Sequence, residues 1–422
     1  MANNFDSNFT RQLARVFLES FETERVLSKN VNTQLLTGRF NPASGENVDF
    51  KRPTDYTSKR TATGDISGGS RSDIITGKAT GTVQNYFTVD VDYDEADEAI
   101  KMDQLEQLLK PAATRIVTDL EVDFANYMLS NASLLAGTVG TAVSTWDHVA
   151  EAGAVMQSHG IPMDNMWCYA VNPYTQRSLA SNQRSLGAGE SLVTSANAKA
   201  TIVDKFAGLT VKTATALGSY TTGAGADRVG ALAANPDVTY VTHKDTMVQS
   251  LSVSGFQANL EVKAGDKLQI TGRKALNLST RQPIIDDAGA TIDFVATVAA
   301  DVTLSGTGTG TITITGPAIY EATGSYNTVD SAPVAADVVT LLGSAATTYQ
   351  PNMFWHRNAF AIGSVPIKKL YSTDTIATTA DGLQIRVSKY ADGDANKQIV
   401  RFDFRPAYAT LNPFFAGHGW GS

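Results

Sequence analysis

Few residues in this chain have the type and spacing that chemistry would need. The five histidines, His148, His159, His243, His356 and His418, include no pair with metal-ligand spacing such as His-Glu-x-x-His. His159 precedes Gly160 at a predicted helix end, where an imidazole suits the helix dipole. Cys168 lies inside an apolar run and reads as an inert buried thiol. As the sole cysteine it can form no intrachain disulfide, which suits a reducing cytoplasm. Asp90-x-Asp92-x-Asp94 resembles the start of a calcium loop. Its sixth position, however, is Glu95 rather than glycine, and its twelfth is Lys101 rather than glutamate. A solvated acidic patch ahead of a helix is the simpler reading. Gly306-x-Gly308-x-Gly310 has the wrong spacing for a dinucleotide and leads into a strand, so it reads as a turn. No Walker loop, Gly-x-Ser-x-Gly elbow or paired zinc-type cysteines occur. The expectation is no catalytic residue, no metal and no cofactor, hence no enzyme.

The elements around these residues are more informative. With 422 residues, the chain can hold two or three domains. Its 18% charged share is low, and 34 glycines favour short strands and turns. No run approaches the roughly 18 apolar residues that span a bilayer, and no export signal is visible at the N-terminus. A net charge of −8 without a basic block argues against tight phosphate binding.

Phe9, Leu13, Val16, Phe17 and Phe21 recur at helical spacing, predicting a helix within the first thirty residues. A helix packed on its own domain and an arm crossing to a neighbour share this pattern. Val48–Pro53 alternates like a strand, and Thr80–Asp92 supplies a partner. Between them lies a stretch rich in glycine and polar residues, with Ile66, Ile74 and Ile75 as its bulky aliphatics. It holds too little apolar surface to offset its ordering entropy, so it is a floppy surface loop or a functional arm. The acidic run Asp90 to Glu98 leads towards a helix with Pro111 in its first turn. Ile116, Leu120, Phe124 and Met128 line one face of that helix, and Gly137 is its expected stop. A helix over Trp146–Ser158 and a buried strand over Met166–Val171 follow.

From Asp237 to Leu342 helical periodicity nearly vanishes. Val238–Thr242, Lys267–Ile270, Thr291–Thr297, Thr311–Thr315 and Asp337–Leu341 read as strands between turn residues, suggesting a small barrel or sandwich. The α+β character resumes afterwards, which marks an insertion. Gln384–Tyr390 and Lys397–Phe404 flank Asp392-Gly393, a hairpin signal.

Two segments carry a resemblance. Val262-Lys-Ala-Gly-Asp-Lys-Leu-Gln-Ile runs on to Arg281-Gln-Pro283, and Gln350-Pro-Asn-Met-Phe-Trp-His-Arg-Asn-Ala-Phe-Ala361 lies within Thr347–Pro366. Together they resemble the coat proteins of short-tailed temperate bacteriophages, tailed-phage major capsid proteins with an inserted β domain. The resemblance runs from about Phe5 to Trp420. It implies an α+β tailed-phage major capsid fold with an inserted all-β barrel-like domain. The implied order is an N-terminal arm (1–30), then a peripheral domain (31–136) with an extended β arm (46–87) and a spine helix (111–136). A first part of the axial domain (137–216), the insert (217–343) and a return segment (344–422) follow. The resemblance also implies partners: copies of the chain as hexamers and pentamers, a scaffolding protein, a portal protein and enclosed double-stranded DNA, with no membrane. The setting is the virion capsid, and the host cytoplasm during assembly. The absence of a long prosegment before the amphipathic arm agrees with scaffolding supplied in trans.

A β-rich adhesin or carbohydrate-binding protein is the alternative, disfavoured by the long amphipathic helix and the α+β body. Lys51, Arg52, Lys59, Arg60 and Arg71 on the arm, and Asp90, Asp92, Asp94 and Glu95 after it, are the candidate intersubunit contacts.

Overall fold

The computed structural model describes residues 6–33, 47–56, 58–67, 72–94, 105–185, 196–322, 324–372, 374–394 and 397–422. They fall into two compact units. One comprises Met1–Asp49, Thr80–Ala125 and Phe360–Thr410, the other Phe50–Ala79, Asn126–Ala359 and Leu411–Ser422.

In the first unit, helix α1 (Asp6–Glu24) packs on its own unit through the face that its periodicity predicted. Leu13, Phe17 and Phe21 are buried, and Phe17 stacks on Phe402 with ring centroids 5.0 Å apart. Phe402 belongs to a four-stranded antiparallel sheet in the order Thr375–Thr378, Gln384–Asp392, Lys397–Phe404 and Phe87–Asp94. The predicted hairpin at Asp392-Gly393 joins the two long strands. Fully buried Asp403 accepts hydrogen bonds from Arg386 Nε (3.1 Å), Arg401 Nε (2.8 Å) and Thr88 Oγ1 (2.7 Å). Burial would raise its pKa, but these donors outweigh it and hold the carboxyl below its ordinary value. Helix α2 (Leu105–Asn131) contributes Phe124, Leu120 and Ile116 to the core. Buried Glu121 accepts from the Leu27 (2.7 Å) and Ser28 (3.0 Å) amides, fixing the chain after α1.

The second unit holds a six-stranded sheet ordered Leu134–Ala136, Ala416–Gly419, Asn352–His356, Trp167–Val171, Leu209–Thr213 and Lys205–Phe206. Helices α3 (Trp146–Ser158) and α4 (Pro173–Ser185) belong to this unit. Thr145 caps α3, and Asn172 Oδ1 accepts from the Thr175 amide at 2.7 Å at the start of α4. Six antiparallel strands close a barrel: Val248–Ser254, Gly310–Thr315, Asp293–Val298, Lys267–Lys274, Val338–Leu341 and Val229–Leu232. Leu251, Val253, Leu268, Ile270, Phe294, Ile312, Ile314 and Val339 are buried in a core continuous with that of the sheet.

Several expectations need correction. Pro111 lies within α2, which begins at Leu105, so it is not a first-turn residue. The helix accepts the missing Pro111 N–H as the loss of one i→i−4 bond. Its end is Asn131, not Gly137, and Leu134–Ala136 is a strand. The reason is tertiary. The fully buried side-chain nitrogen of Lys267, on the barrel, lies within hydrogen-bond distance of the carbonyls of Ala132 (2.8 Å), Ser133 (3.2 Å) and Leu134 (2.8 Å), while His418 Nε2 lies 2.9 Å from that of Leu129. Burial pushes the pKa of both Lys267 and His418 well down.

The strand expected over Thr80–Asp92 is two strands in different sheets, Lys78–Val83 and Phe87–Asp94. The acidic run accordingly starts on a strand, where Asp90 and Asp92 alternate with Val89 and Val91, and its remainder, Glu95 to Glu98, lies outside the described residues. Val238–Thr242 is not a strand. Tyr240–His243 is one helical turn, because the Asp237 carboxylate accepts from the Thr239 amide (2.9 Å) and the Thr242 hydroxyl (2.8 Å). His159 caps α3, but burial lowers its pKa, so the ring favours the neutral form rather than the dipole-paired cation.

Candidate assembly surface

The histidines serve the fold. His243 bridges the carbonyls of Val248 (2.9 Å) and Asp237 (2.8 Å), His356 Nε2 lies 3.0 Å from Asp164, and His159 Nδ1 lies 2.7 Å from the Val155 carbonyl. Burial raises the Cys168 thiol to about 11, leaving little thiolate. Among the described residues, no group of three or more His, Cys, Asp and Glu is placed to hold a metal ion.

The polar loop between Lys51 and Lys78 is built differently from the rest of the chain. Exposed Lys51 ends the strand Asn47–Lys51. Arg52 turns inward, donating from Nε to the Lys78 carbonyl (3.0 Å) and from Nη1 to that of Leu411. Burial lowers its pKa to about 10. The Arg52 amide also donates to the Gly77 carbonyl at 2.8 Å, so the two roots of the loop hold each other.

Further contacts come from segments that connect the barrel strands. Arg281 Nη2 donates to Asp55 Oδ2 at 2.7 Å. The Tyr326 hydroxyl accepts from the Asp55 amide (2.9 Å) and donates to the Ile75 carbonyl (3.2 Å), bridging both roots. Its ring stacks on Tyr240 with centroids 3.7 Å apart and planes 1° apart. On the returning root, the Lys78 amide donates to Asp245 Oδ1 (3.1 Å) and Lys244 Nζ to the Thr76 carbonyl (3.4 Å). Gly77 is required here, since a Cβ would fall 2.5 Å from the Lys244 carbonyl oxygen. Between these roots Lys59 and Arg60 are exposed, as are Ile66 (57%) and Ile74 (75%). The exposure of such large aliphatics far exceeds that of the core isoleucines.

Of the remaining predicted contacts, Arg71 and Glu95 lie outside the described residues, and Asp94 ends its strand. Asp90 and Asp92 sit on the exposed face of Phe87–Asp94. Asp92 pairs with Lys397 at 2.6 Å, and that hydrogen bond pulls its pKa down. Asp90 stands opposite Arg401 in the strand register. The basic residues from Arg52 onward belong to the second unit, whereas Asp90 and Asp92 belong to the first. No sequence signal marks Arg281, Tyr326, Tyr240 or Asp245 as partners of the loop. Between 167 and 271 residues separate the bonded positions, and no local pattern encodes such a pairing.

A family model described as P22 coat protein, gene protein 5, matches residues 1–421. The chain belongs to the P22 coat protein family. Its sequence is also 36% identical, over 427 residues and the full length of both chains, to the major capsid protein of Acyrthosiphon pisum secondary endosymbiont phage 1. Two similar solved structures are a chain of Mycobacterium phage Che8 and the capsid of cyanophage P-SCSP1u. The first has a TM-score of 0.45 and 13% identity, covering 93% of this chain and 90% of that one. The second has a TM-score of 0.41 and 9% identity, covering 90% and 84%.

Family membership makes this a phage major capsid protein, a structural component of the virion. The two segments that carried the resemblance have structural roles within it. The first supplies Lys267 and the barrel strand Lys267–Lys274. The second supplies the central strand Asn352–His356 and the strand Phe360–Ser364, both of them buried throughout.

Proposed function

We propose that this coat protein assembles with itself, as hexamers and pentamers, into an icosahedral shell around double-stranded DNA. A scaffolding protein guides the shell and a portal occupies one vertex. Assembly takes place in the host cytoplasm, and the protein catalyses no reaction. Coat-family membership along residues 1–421 is the observation that carries this reading. A net charge of −8 supports it secondarily, because a mildly acidic wall does not adhere to packaged DNA.

Within that reading, residues 1–30 form the N-terminal arm and 46–87 an extended β arm of a peripheral domain covering 31–136. The axial domain begins with 137–216, 217–343 is the insert, and the return segment 344–422 contributes to both the axial and the peripheral domains. Lys51, Arg52, Lys59, Arg60 and Arg71 on the arm engage an acidic surface of a neighbouring copy that includes Asp90, Asp92, Asp94 and Glu95. The exposed middle of the arm supports this, since a polar stretch with little apolar surface gains little by folding on itself.

Purified protein, with and without a co-expressed scaffolding protein, tests the proposal by sedimentation and electron microscopy. Closed shells of uniform diameter are expected in the presence of scaffolding. A compact monomer that never forms capsomers or shells under either condition would overturn it.

A further inference from the structure

The contacts at the roots of the arm carry an inference that rests on the shell-building reading and deepens it. We infer that the segments linking the barrel strands act as a clamp that sets the direction of the arm in the free subunit, with Arg281 and Tyr326 as the positioning residues.

The geometry supports this in three ways. First, the clamp touches both roots. Arg281 and Tyr326 hold Asp55 on the outgoing side, while Tyr326 and Asp245 hold Ile75 and Lys78 on the returning side. A loop fixed at one root can swivel, but a loop fixed at two can only bend. Second, the holding groups are themselves immobilised. Arg281 Nη1 donates to the Asn327 carbonyl at 2.7 Å, next to Tyr326, and the Tyr326 ring lies flat on buried Tyr240. Third, the bonds are local to the roots. Residues 58–67 and 72–74 are exposed, so the clamp fixes direction while leaving the middle accessible. Assembly benefits because an arm already pointing correctly loses less conformational freedom on docking.

The consequence is that residues between the barrel strands control shell formation through the arm they hold. Asp55→Arg and Arg281→Asp each put like charges at 2.7 Å separation and should open the outgoing root. The double exchange restores an opposite-charge pair. Tyr326→Phe is the milder variant, since it keeps the ring stack and removes only the bridging hydroxyl.

The test uses the full-length chain. Hydrogen exchange on the unassembled subunit reads the amides of Asp55 and Lys78, melting reads stability, and sedimentation with scaffolding reads shell yield. Tyr326→Phe should speed exchange at Asp55 by about tenfold, the worth of one hydrogen bond. Each charge-reversed single variant should lose that protection and most of its shell yield with an unchanged melting temperature, and the double exchange should recover both. Normal shells from subunits whose roots exchange freely would overturn the inference, as would a double exchange that recovers neither. Failure of the wild type to form shells would instead count against the shell-building reading, while the exchange data would still judge the clamp.

Discussion

Replacing Phe124 with alanine gives the most direct test of how the first unit is held together. The ring is fully buried, packed edge-on to Phe360 at 6.5 Å between centroids and tilted against Tyr408 at 5.1 Å. Tyr408 is further fixed by its hydroxyl, which donates to Asp123 at 2.9 Å. Both neighbours sit on strands paired to each other, Phe360–Ser364 with Pro406–Thr410, so neither can move into the vacated space without breaking a ladder. Loss of the phenyl group therefore combines a transfer term with an unrelaxed cavity, about 3–5 kcal/mol in total. Two aromatic contacts at about 0.5–1.5 kcal/mol each are included in that figure. Val122, two residues away on the same helix, is 45% exposed and provides the control. Val122→Ala should change stability by no more than about 0.5 kcal/mol. Urea unfolding followed by far-ultraviolet circular dichroism, with Phe124→Leu as an intermediate, measures the series. Equal and small losses from Phe124→Ala and Val122→Ala would refute the assignment of this helix face to the core.

Other predictions follow from the same structure. Asp403 has a depressed pKa when folded, so its contribution is complete above the ordinary carboxylate value near 4 and fades as pH falls through the folded value. Acid titration of the melting temperature should therefore be shallower in Asp403→Asn than in the wild type, and parallel curves would exclude this carboxylate as a cause of acid unfolding. Charge reversal at both Lys59 and Arg60 should leave the melting temperature unchanged but block or misdirect shell assembly, because single exposed pairs contribute only about 0–1 kcal/mol yet repeat across a shell. Salt should weaken wild-type assembly in the same sense, and normal shells from the double variant in low salt would remove the proposed contacts. Residues 217–343 expressed alone should melt cooperatively with dispersed amide NMR shifts, and a random-coil spectrum would reject that boundary. Lys267→Met should cost the full chain about 1–3 kcal/mol through its lost carbonyl bonds. The same change should be neutral or stabilising in the fragment, which lacks residues 132–134, and equal losses in both would show that those bonds do not matter.

What the sequence determined by itself was whatever repeats over a few residues. Phe17 and Phe21 mark the buried face of α1, Leu120, Phe124 and Met128 that of α2, and Asp392-Gly393 the hairpin, because helix and strand periods act between near neighbours. The barrel's strands at Lys267, Thr311 and Asp337 were legible for the same reason, and the family was legible from two segments that supply a barrel strand and two buried strands. Long-range polar contacts were not legible. The chain leaves α2 at Asn131 because the Lys267 amino group, more than 130 residues away, takes the following carbonyls. The start of the acidic run lies on a strand, where Asp92 meets Lys397 across a sheet. The roots of the arm are held by Arg281 and Tyr326, which bond to them across more than 220 residues. A buried donor or charge needs a partner wherever the fold can supply one. Which residue supplies it depends on the packing of the whole chain, and that is decided only by the tertiary structure.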